Sequence, residues 1–325
     1  MTCRVTRLAG ARLGRIPWLI QLCATTLWEC LTRRPDVIVC GHVTTAPAAL
    51  LARRLLRVPY VVFTYGYEIR RKRWQPLLRF LLRSAKLVVA CSDFTRSAVL
   101  DLTVHGERVR ILYPGVDAQR FAPANGRPAP ARPKTLLSVA RLAELYKGHD
   151  TTIRSLPLVK AKCPNVRYLI AGDGPLRDYL GRVAESVGVE REVRFLGEVT
   201  DDELPDVYRS CDAFVLLSRE SPSKGGAEGF GIVCLEAGAC GKPVVAGRSG
   251  GLVDAVEHDK SGLLVDPQDI GAVAETLVSV LTDPPLADRL GREGRRRVLE
   301  RFTWDRVIGE ARKVFAEAAG EWYTL

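Results

Sequence analysis

The chain has 325 residues, of which 47% are hydrophobic and 26% charged, and its net charge is +11. This length is sufficient for two α/β domains with separate cores, and the composition excludes a disordered or fibrous protein. The apolar stretch 16–31 is too short to span a bilayer and contains Gln21 and Glu29. We expect a helix there rather than a signal peptide, because no small-residue cleavage site follows it.

The first 121 residues alternate helices with short, β-branched strands. Helices are predicted at about 15–32, 45–57, 74–85 and 92–103, and strands at 36–40, 60–64, 87–90 and 108–112. This alternation is typical of a parallel, doubly wound sheet. Since a Rossmann-like half usually has five or six strands, the four strands predict an N-terminal domain, 1–121, that lacks one or two βα units.

Residues 122–133 contain four prolines and are predicted to be a linker. Beyond it, strands are predicted at 135–139, 167–171, 192–196, 212–217, 243–246 and 262–265. Helices are predicted at about 149–161, 175–187, 202–210, 232–239, 269–282, 285–299 and 303–319. Six strands separated by helices predict a second Rossmann-like domain over 134–302, followed by a C-terminal helical segment, 303–325.

The positive charge is concentrated in the first part of the chain. Residues 1–132 contain 22 Lys and Arg against 7 Asp and Glu, whereas residues 133–325 carry a balance of −4. The run Arg70–Arg83 joins a basic cluster to an amphipathic segment with Trp74, which favours binding to an anionic membrane surface. The alternative is a solvated basic loop before a core-packing helix. No helix-turn-helix, zinc or RNA-binding pattern favours nucleic acid.

The nine cysteines include no C-x-x-C pair and lie mostly in apolar segments. This usage is typical of reduced thiols in a cytoplasmic protein, and it favours neither a metal site nor disulfides. Together with the basic N-terminal part, it predicts a cytoplasmic protein that is peripheral on the inner face of the cell membrane.

The stretch 228–251 is the strongest indication of function. It contains a glycine-rich loop, a helix, a strand and a second glycine turn. The amides of Gly231, Ile232 and Val233 open the helix and are expected to form an anion site. Glu228 precedes this site and Glu236 lies inside the helix, so a bound diphosphate would have a carboxylate on each side. Carboxylates accept hydrogen bonds from sugar hydroxyls, so the stretch suits a nucleotide-sugar.

This stretch resembles the E-x7-E signature of the retaining glycosyltransferases of family four, which have the GT-B fold of two Rossmann-like domains. The resemblance implies that Glu228 contacts the transferred sugar and that Glu236 holds the ribose. It also implies a metal-independent hexosyltransferase, most similar to phosphatidylinositol mannosyltransferases and related enzymes with lipid-linked acceptors. Its donor would be a nucleoside-diphosphate sugar bearing mannose or glucose, bound as a substrate and without a further cofactor.

Further residues match the donor site of that family. Arg141 and Lys147 follow the first strand of the second domain, and an arginine fork with a lysine point charge suits a departing diphosphate. The resemblance places the nucleobase against Phe195 and Leu196. The other expected donor-binding residues are Gly172, Ser218, Arg219, Gly229, Phe230, Gly250 and Gly251. No Asp-x-Asp motif occurs, so a metal-clamped diphosphate is not predicted.

One position departs from the family pattern. Where the family often has a histidine in an H-G-x-E/D setting, this chain has Tyr65 in the segment Phe63-Thr-Tyr65-Gly-Tyr-Glu68. A phenol can hydrogen-bond to a substrate but does not become protonated near neutral pH as an imidazole does. Tyr65 is therefore either a catalytic residue facing the sugar or a packing residue.

Two alternatives to a glycosyltransferase are considered. The first is a catalytically impaired nucleotide-sugar-binding protein, because the N-terminal glycine-rich loop of the family is missing from this sequence. The second is a basic nucleic-acid-binding module, for which no motif is present.

Overall fold

The computed structural model describes residues 15–70, 74–102, 104–124, 133–221 and 226–320. The described chain forms two compact units. The first contains the residues up to Leu112 together with those from Gly309 onward, and the second runs from Tyr113 to Ile308. The basic triplet 71–73 and linker residues 125–132 lie outside the described residues.

The first unit is built on a parallel sheet. Its elements are α1 (Arg15–Arg33), β1 (Ile38–Cys40), α2 (Ala46–Leu56), β2 (Tyr60–Thr64), α3 (Gln75–Ser84), β3 (Leu87–Ala90), α4 (Asp93–Leu100) and β4 (Val109–Ile111). The four strands lie in the order β1-β2-β3-β4, and every neighbouring pair is parallel. Their carboxyl ends therefore meet at one edge of the sheet.

Burial on both faces explains the apolar strands of this unit. All four residues of β3 are buried, as is typical of a parallel sheet covered by helices on both sides. One face packs against α2 and α3, with Leu82 fully buried, and the other packs against Val314 and Ala318. These two residues belong to the last helix, α12 (Trp304–Ala319), which begins in the second unit and ends in the first.

The second unit has a six-stranded parallel sheet. Its strands are β5 (Lys134–Val139), β6 (Val166–Ala171), β7 (Val193–Gly197), β8 (Ala213–Leu216), β9 (Val244–Gly247) and β10 (Leu263–Val265). Its helices before α12 are α5 (His149–Lys162), α6 (Arg177–Ser186), α7 (Leu204–Ser210), α8 (Ile232–Ala239), α9 (Leu252–Ala255), α10 (Ile270–Thr282) and α11 (Pro284–Arg301). A large core joins the sheet to α5, α6 and α10 through residues such as Ile153 and Leu277.

The strand order of this sheet is β10-β9-β8-β5-β6-β7. From β5 the chain proceeds outward through β6 and β7, then returns to the other side of β5 to form β8. The order therefore reverses between β5 and β8, whose pairing includes Leu136 with Ala213. In open parallel sheets, ligands bind at the carboxyl ends of the strands where this reversal occurs. The loops after β5 and β8 are thus the expected position of a ligand site.

The structure confirms the predicted α/β class with two parallel sheets, and every predicted helix and strand is present with small shifts at its ends. The helix predicted at 92–103 ends earlier, at Leu100. The single-turn helix α9 was not predicted. All eight cysteines in the described part of the chain are free thiols, and only Cys23 among them is not buried.

Candidate active site

The loops after β5 and β8 bring Lys147 and Glu228 together. The Lys147 ammonium donates a 2.5 Å hydrogen bond to Glu228 Oε2, and the two side chains are only 19% and 15% exposed. Ser218 Oγ donates a longer bond, 3.5 Å, to the same oxygen. Burial works to lower the pKa of Lys147, but the charge and hydrogen bond of Glu228 outweigh it, and the pKa is raised. Lys147 is therefore a cation at neutral pH.

Arg141 lies on the same loop as Lys147, and its side chain is exposed. It makes no hydrogen bond or ion pair to any residue in the described part of the chain. The backbone beside it is held by the turn after β6, where Leu142 N donates to Asp173 O at 2.9 Å. A Cβ on Gly172 would lie 2.1 Å from Ala140 O, so Gly172 is needed for this close approach. The position of Arg141 is thus fixed while its guanidinium stays available.

The glycine loop before α8 is held by the second glycine pair. Gly251 N donates to Glu228 O at 2.8 Å, and a Cβ on Gly251 would lie 2.1 Å from Gly229 O. A Cβ on Gly250 would lie 2.6 Å from Glu228 O. Gly229, Gly250 and Gly251 therefore position Glu228 through backbone contacts.

The amino end of α8 lies directly after this loop. Gly231 is the N-cap residue, with φ +93°, and it offers no side chain to bond the first-turn amides. Ile232 is partly exposed at the start of the helix, and Val233 is half-buried. Backbone amides at such a helix end attract anions, which suits a phosphate group.

Glu236 lies in the second turn of α8 and is half-buried. Its Oε2 accepts a 2.6 Å hydrogen bond from the Tyr208 hydroxyl. Burial raises the pKa of Glu236, although the Tyr208 bond and the charge of Arg120 act in the opposite direction. One carboxylate oxygen of Glu236 is thus fixed by Tyr208, which orients the other.

The aromatic residues expected at the donor site differ in their exposure. Phe230 is buried, and its ring packs 5.5 Å from Tyr113 and 5.8 Å from Phe302, measured between centroids. The side chain of Phe230 therefore packs in the core, and only its backbone is available to a ligand. Phe195 is half-buried on β7, with the guanidinium of Arg177 5.5 Å from its centroid.

Leu196 is also half-buried on β7. It borders an open cavity of about 410 Å³, whose other lining residues include Glu198, Val199 and Glu203. The cavity lies beside the strand end at which the sequence predicted the nucleobase.

Arg219 has a different environment from the one expected. Its guanidinium forms a bidentate pair with Asp150 at 2.9 and 3.0 Å and a further 3.0 Å bond to Thr151. Its backbone N donates to Tyr146 O at 2.8 Å. These partners lie close to Lys147 in sequence, and Arg219 follows β8. The contacts of Arg219 therefore hold the Lys147 loop against the end of β8. The geometry favours this positioning role over direct contact with a ligand.

Tyr65 lies in the first unit, at the carboxyl end of β2. Its hydroxyl donates to Gly41 O at 3.0 Å, and its backbone N donates to Glu68 Oε1 at 2.5 Å. Burial raises the pKa of Tyr65, and the nearby Cys91 and Glu68 act in the same direction. The residue is 44% exposed, so Tyr65 is not a core-packing residue.

A buried polar network lies behind the Lys147 loop. His149 Nδ1 lies 3.1 Å from the Tyr168 hydroxyl, which lies 2.8 Å from Ser138 Oγ. Burial lowers the pKa of His149 to about 4, the charge of Lys147 acts in the same direction, and Asp150 opposes it. Sequence reasoning did not identify this network, because burial of a histidine leaves no local pattern.

This network predicts a pH-dependent stability. The unfolded chain protonates His149 near its ordinary value of 6.5 and the folded chain only near 4. The free energy of unfolding therefore includes the full contribution of neutral His149 above pH 6.5. This contribution, about 3 kcal/mol, is lost as the pH falls toward 4. Urea denaturation across this pH range should show a shallower loss in His149→Gln than in the wild type. His105→Gln, at an exposed loop position, is the control; equal slopes for wild type and His149→Gln would contradict the prediction.

Comparisons with known proteins show the family to which the chain belongs. The family model "Glycosyltransferase Family 4" matches residues 3–120, and "Glycosyl transferases group 1" matches residues 124–297. A GDP-mannose-dependent alpha-(1-6)-phosphatidylinositol monomannoside mannosyltransferase of Mycobacterium tuberculosis is 33% identical over 94% of this chain and 83% of its own length. A glycogen synthase of the same species is 31% identical over 88% of this chain and 69% of its own length.

Two solved structures share the fold. The Anabaena protein HepE, in complex with UDP and glucose, aligns with a TM-score of 0.78 and 22% identity, over 96% of this chain and 84% of its own. The sucrose-phosphate synthase of Thermosynechococcus elongatus aligns with a TM-score of 0.80 and 24% identity, over 97% and 83%. The fold and the matches together define a glycosyltransferase of the GT-B fold that acts on nucleotide sugars. The chain belongs to glycosyltransferase family 4.

Proposed function

We propose that this protein transfers mannose, with retention of configuration, from GDP-mannose to a hydroxyl group of a lipid-linked acceptor such as a phosphatidylinositol mannoside. The observation that carries the proposal is the Lys147–Glu228 pair at the strand-order reversal, beside the amino end of α8. The choice of mannose is supported by the mycobacterial relative that covers nearly the whole chain.

In this proposal the two oxygens of Glu228 have different roles. Oε2 is occupied by Lys147 and Ser218, whereas Oε1 makes no hydrogen bond to a described residue. The free oxygen can accept a bond from a hydroxyl of the transferred sugar. Lys147 then lies between the carboxylate and the incoming diphosphate, so a single cation orients the sugar contact and neutralises the leaving group.

Leaving-group stabilisation is assigned to groups that are fixed before the donor binds. Arg141, Lys147 and the first amides of α8 would hold the departing diphosphate, and such preorganised charges are a major source of catalysis. Glu236 would accept hydrogen bonds from the ribose hydroxyls. No metal is required in this scheme, because the cationic side chains and the helix end carry the charge stabilisation.

The function is tested by transfer from radiolabelled GDP-mannose to phosphatidylinositol monomannoside in detergent micelles containing EDTA. We expect a labelled lipid product, and less product when UDP-glucose replaces GDP-mannose. Lack of transfer from GDP-mannose, together with transfer from UDP-glucose, would replace mannose by glucose in the proposal. Activity that appears only after a divalent cation is added would contradict the metal-independent scheme.

The role of Glu236 gives a separate prediction. Glu236→Ala should weaken GDP binding by about 1.5–3 kcal/mol, which is typical for a hydrogen bond to a charged group. Calorimetry of the full chain with GDP in EDTA measures this loss. Glu293→Ala, at a partly exposed position on α11, is the matched control and should leave GDP affinity unchanged. Equal affinities of wild type and Glu236→Ala would remove Glu236 from the ribose role.

We propose further that the first unit rests on an anionic membrane surface. The buried face of α3 includes Leu78, Leu81 and Leu82, which confirms that this helix packs on the core. Its other side exposes Leu77 and Phe80, which are 45% and 48% exposed. The guanidinium of Arg54, on α2, lies 5.8 Å from the Phe80 ring centroid, so apolar and basic groups share one surface. This combination suits the headgroup layer of a bilayer.

None of the helices in the described ranges combines the length and apolarity that a membrane crossing requires. We propose a peripheral association, on the cytoplasmic face of the cell membrane, where a lipid-linked acceptor would be present.

Membrane binding is expected to depend on both charge and α3. Co-sedimentation with anionic vesicles should weaken as salt rises, because surface charges are screened over about 8–10 Å at 0.1–0.15 M. Phe80→Ser should weaken binding by roughly ten-fold through lost apolar burial. Leu299→Ser, at an equally exposed position on α11, should have no effect. Equal binding to neutral and anionic vesicles would contradict the electrostatic account.

A further inference from the structure

Three polar side chains lie in the core of the second unit. Ser138, Tyr168 and His149 are all buried, and the hydroxyl-bearing pair is almost completely removed from solvent. Ser138 belongs to β5, Tyr168 belongs to the neighbouring strand β6, and His149 is the first residue of α5. Burial of a polar group is costly unless the group is hydrogen-bonded. The hydrogen bonds among these three side chains must therefore offset the cost of burying them.

The direction of each hydrogen bond follows from the Ser138 end of the group. Ser138 Oγ lies 2.5 Å from Val215 O on β8, and a carbonyl oxygen can only accept, so the hydroxyl donates its one hydrogen there. Tyr168 Oη lies 2.8 Å from Ser138 Oγ, so the hydrogen of this contact comes from Tyr168. His149 Nδ1 lies 3.1 Å from the same Tyr168 oxygen, and Nδ1 therefore donates to it. The bonds form one directed chain from the ring of His149 to the backbone of β8.

This direction fixes the tautomer of His149. Burial lowers the pKa of the ring to about 4, so at neutral pH the ring is uncharged and has a single N–H. With that hydrogen on Nδ1, Nε2 carries a lone pair. Nε2 is buried and has no hydrogen-bond partner among the described residues. The ring of His149 is therefore oriented by its Nδ1 bond to Tyr168.

The directed chain ends two residues from Lys147. Only Gly148 separates Lys147 from His149, and a Cβ on Gly148 would lie 2.0 Å from Leu217 O, so the loop is packed closely on the end of β8. The Lys147 ammonium is in turn bonded to Glu228 at 2.5 Å. Because β8, β5 and β6 are adjacent in the sheet, the bonds tie the start of α5 to three neighbouring strands. A displacement of His149 would consequently move the backbone that carries Lys147.

We propose that Tyr168 is a positioning residue for Lys147. Its hydroxyl holds the start of α5 through His149, and this fixes the ammonium where the departing diphosphate is stabilised. Tyr168 itself touches no substrate. A misplacement of about 1 Å in a group that stabilises the transition state lowers the rate by up to about a hundred-fold, so one buried hydroxyl has a large effect on turnover. The inference rests on the proposed function and adds a residue to its leaving-group machinery.

Three variants separate the bonds of the chain. Tyr168→Phe removes the hydroxyl with both of its bonds and keeps the ring. Ser138→Ala removes only the far bond, and the released Tyr168 hydrogen can then turn to His149 Nδ1, so the contact is kept while the ring hydrogen moves to Nε2. Tyr60→Phe is the matched control. Tyr60 is also fully buried and donates to Leu81 O at 2.5 Å, but it lies in the first unit.

The full chain is assayed with GDP-mannose and phosphatidylinositol monomannoside, and GDP binding is measured by calorimetry. Tyr168→Phe should lower kcat about ten-fold and raise the Kd for GDP about two- to three-fold, since misplacement affects the transition state most. Ser138→Ala should lower kcat less, and Tyr60→Phe should leave both quantities unchanged. In a Lys147→Ala background, Tyr168→Phe should have almost no further effect, because the group that it positions is gone.

The opposite results are equally clear. An unchanged kcat in Tyr168→Phe, or an equal loss in Tyr60→Phe, would overturn the proposal. So would a loss in Tyr168→Phe that persists in full in the Lys147→Ala background, because a merely structural tyrosine would give independent, multiplicative effects.

The tautomer of His149 tests the directed chain without turnover. Long-range ¹H–¹⁵N NMR of the full chain distinguishes the protonated ring nitrogen from the bare one, and His149→Gln identifies the signal. We expect the hydrogen on Nδ1 in the wild type and on Nε2 in Ser138→Ala. A wild-type ring protonated on Nε2 would overturn the directed chain.

GDP binding separates failure of the inference from failure of the proposed function. If the chain transfers no mannose, but Tyr168→Phe raises the Kd for GDP in the wild type and not in Lys147→Ala, the proposed function fails and the positioning role stands. An unchanged Kd for GDP in an inactive chain would overturn the positioning role as well.

Discussion

Lys147→Ala is expected to reduce kcat for mannosyl transfer by about a hundred- to a thousand-fold, or about 3–4 kcal/mol, as is typical for one preorganised group that stabilises developing charge. Negative charge on the diphosphate increases as the sugar departs. The Lys147 ammonium therefore stabilises the transition state more than it stabilises the bound donor. The Kd for GDP should therefore rise less than kcat falls. Single-turnover kinetics and GDP calorimetry of the same variant measure the two effects.

The ion pair adds a second consequence of this replacement. Without Lys147, the Glu228 carboxylate keeps only the Ser218 bond in a site where it is 15% exposed. An unpaired charge in such a site is costly, so part of the lost activity comes from a displaced Glu228. Lys147→Ala combined with Glu228→Gln should consequently lose less than the product of the two single losses.

The matched control is Lys260→Ala, which breaks a Lys–Glu pair whose side chains are 69% and 42% exposed. Such exposed pairs contribute about 0–1 kcal/mol, so this variant should keep both activity and stability. A Lys147→Ala enzyme within a few-fold of the wild-type kcat would contradict the assignment of Lys147 to the leaving group.

The secondary structure could be predicted because parallel strands buried on both faces are short apolar runs. Leu87–Ala90 was predicted at its observed bounds for this reason, since all four residues are buried. Helix α8 was also predicted at its observed bounds, because Gly231 and Gly241 mark its two ends. Helix α9 was missed because Leu252–Ala255 forms only one turn, too short for a periodic pattern.

The pairing of site residues could not be predicted in the same way. Lys147 and Glu228 are 81 residues apart in sequence, and they meet because β5 lies beside β8 in the sheet. The sequence motif assigned them to different parts of the donor and gave no indication of their direct contact. Arg219 illustrates the same limit, since the Asp150 that binds it lies 69 residues earlier and is unremarkable in sequence.

The stacking of His42 on Tyr65 could not be predicted from the motif either. The motif draws attention to the strand end at Tyr65, whereas His42 comes from a neighbouring strand that the E-x7-E signature does not include. Only the parallel pairing of β1 with β2 places the two rings together. The proximity of these two side chains could therefore not be predicted without knowing the order of the strands in the sheet.

Gly148→Ala is expected to destabilise the second unit by about 2–5 kcal/mol and to weaken donor binding. Gly148 has φ +78°, and a Cβ there would lie 2.0 Å from Leu217 O. The left-handed conformation costs an alanine about 1–2 kcal/mol, and the clash adds about 1–3 kcal/mol because both partners are buried backbone. Relief of the clash must move either the end of β8 or the loop that carries Lys147.

Gly188 offers a matched control for this prediction. It has φ +71°, close to that of Gly148, but a Cβ there would meet no atom within 4 Å. Gly188→Ala should therefore show the conformational cost alone, about 1–2 kcal/mol, with unchanged GDP affinity. Urea denaturation and GDP calorimetry of both variants separate conformation from contact. If the two alanines prove equally destabilising and both leave GDP affinity intact, the close packing of Gly148 on Leu217 does not position Lys147.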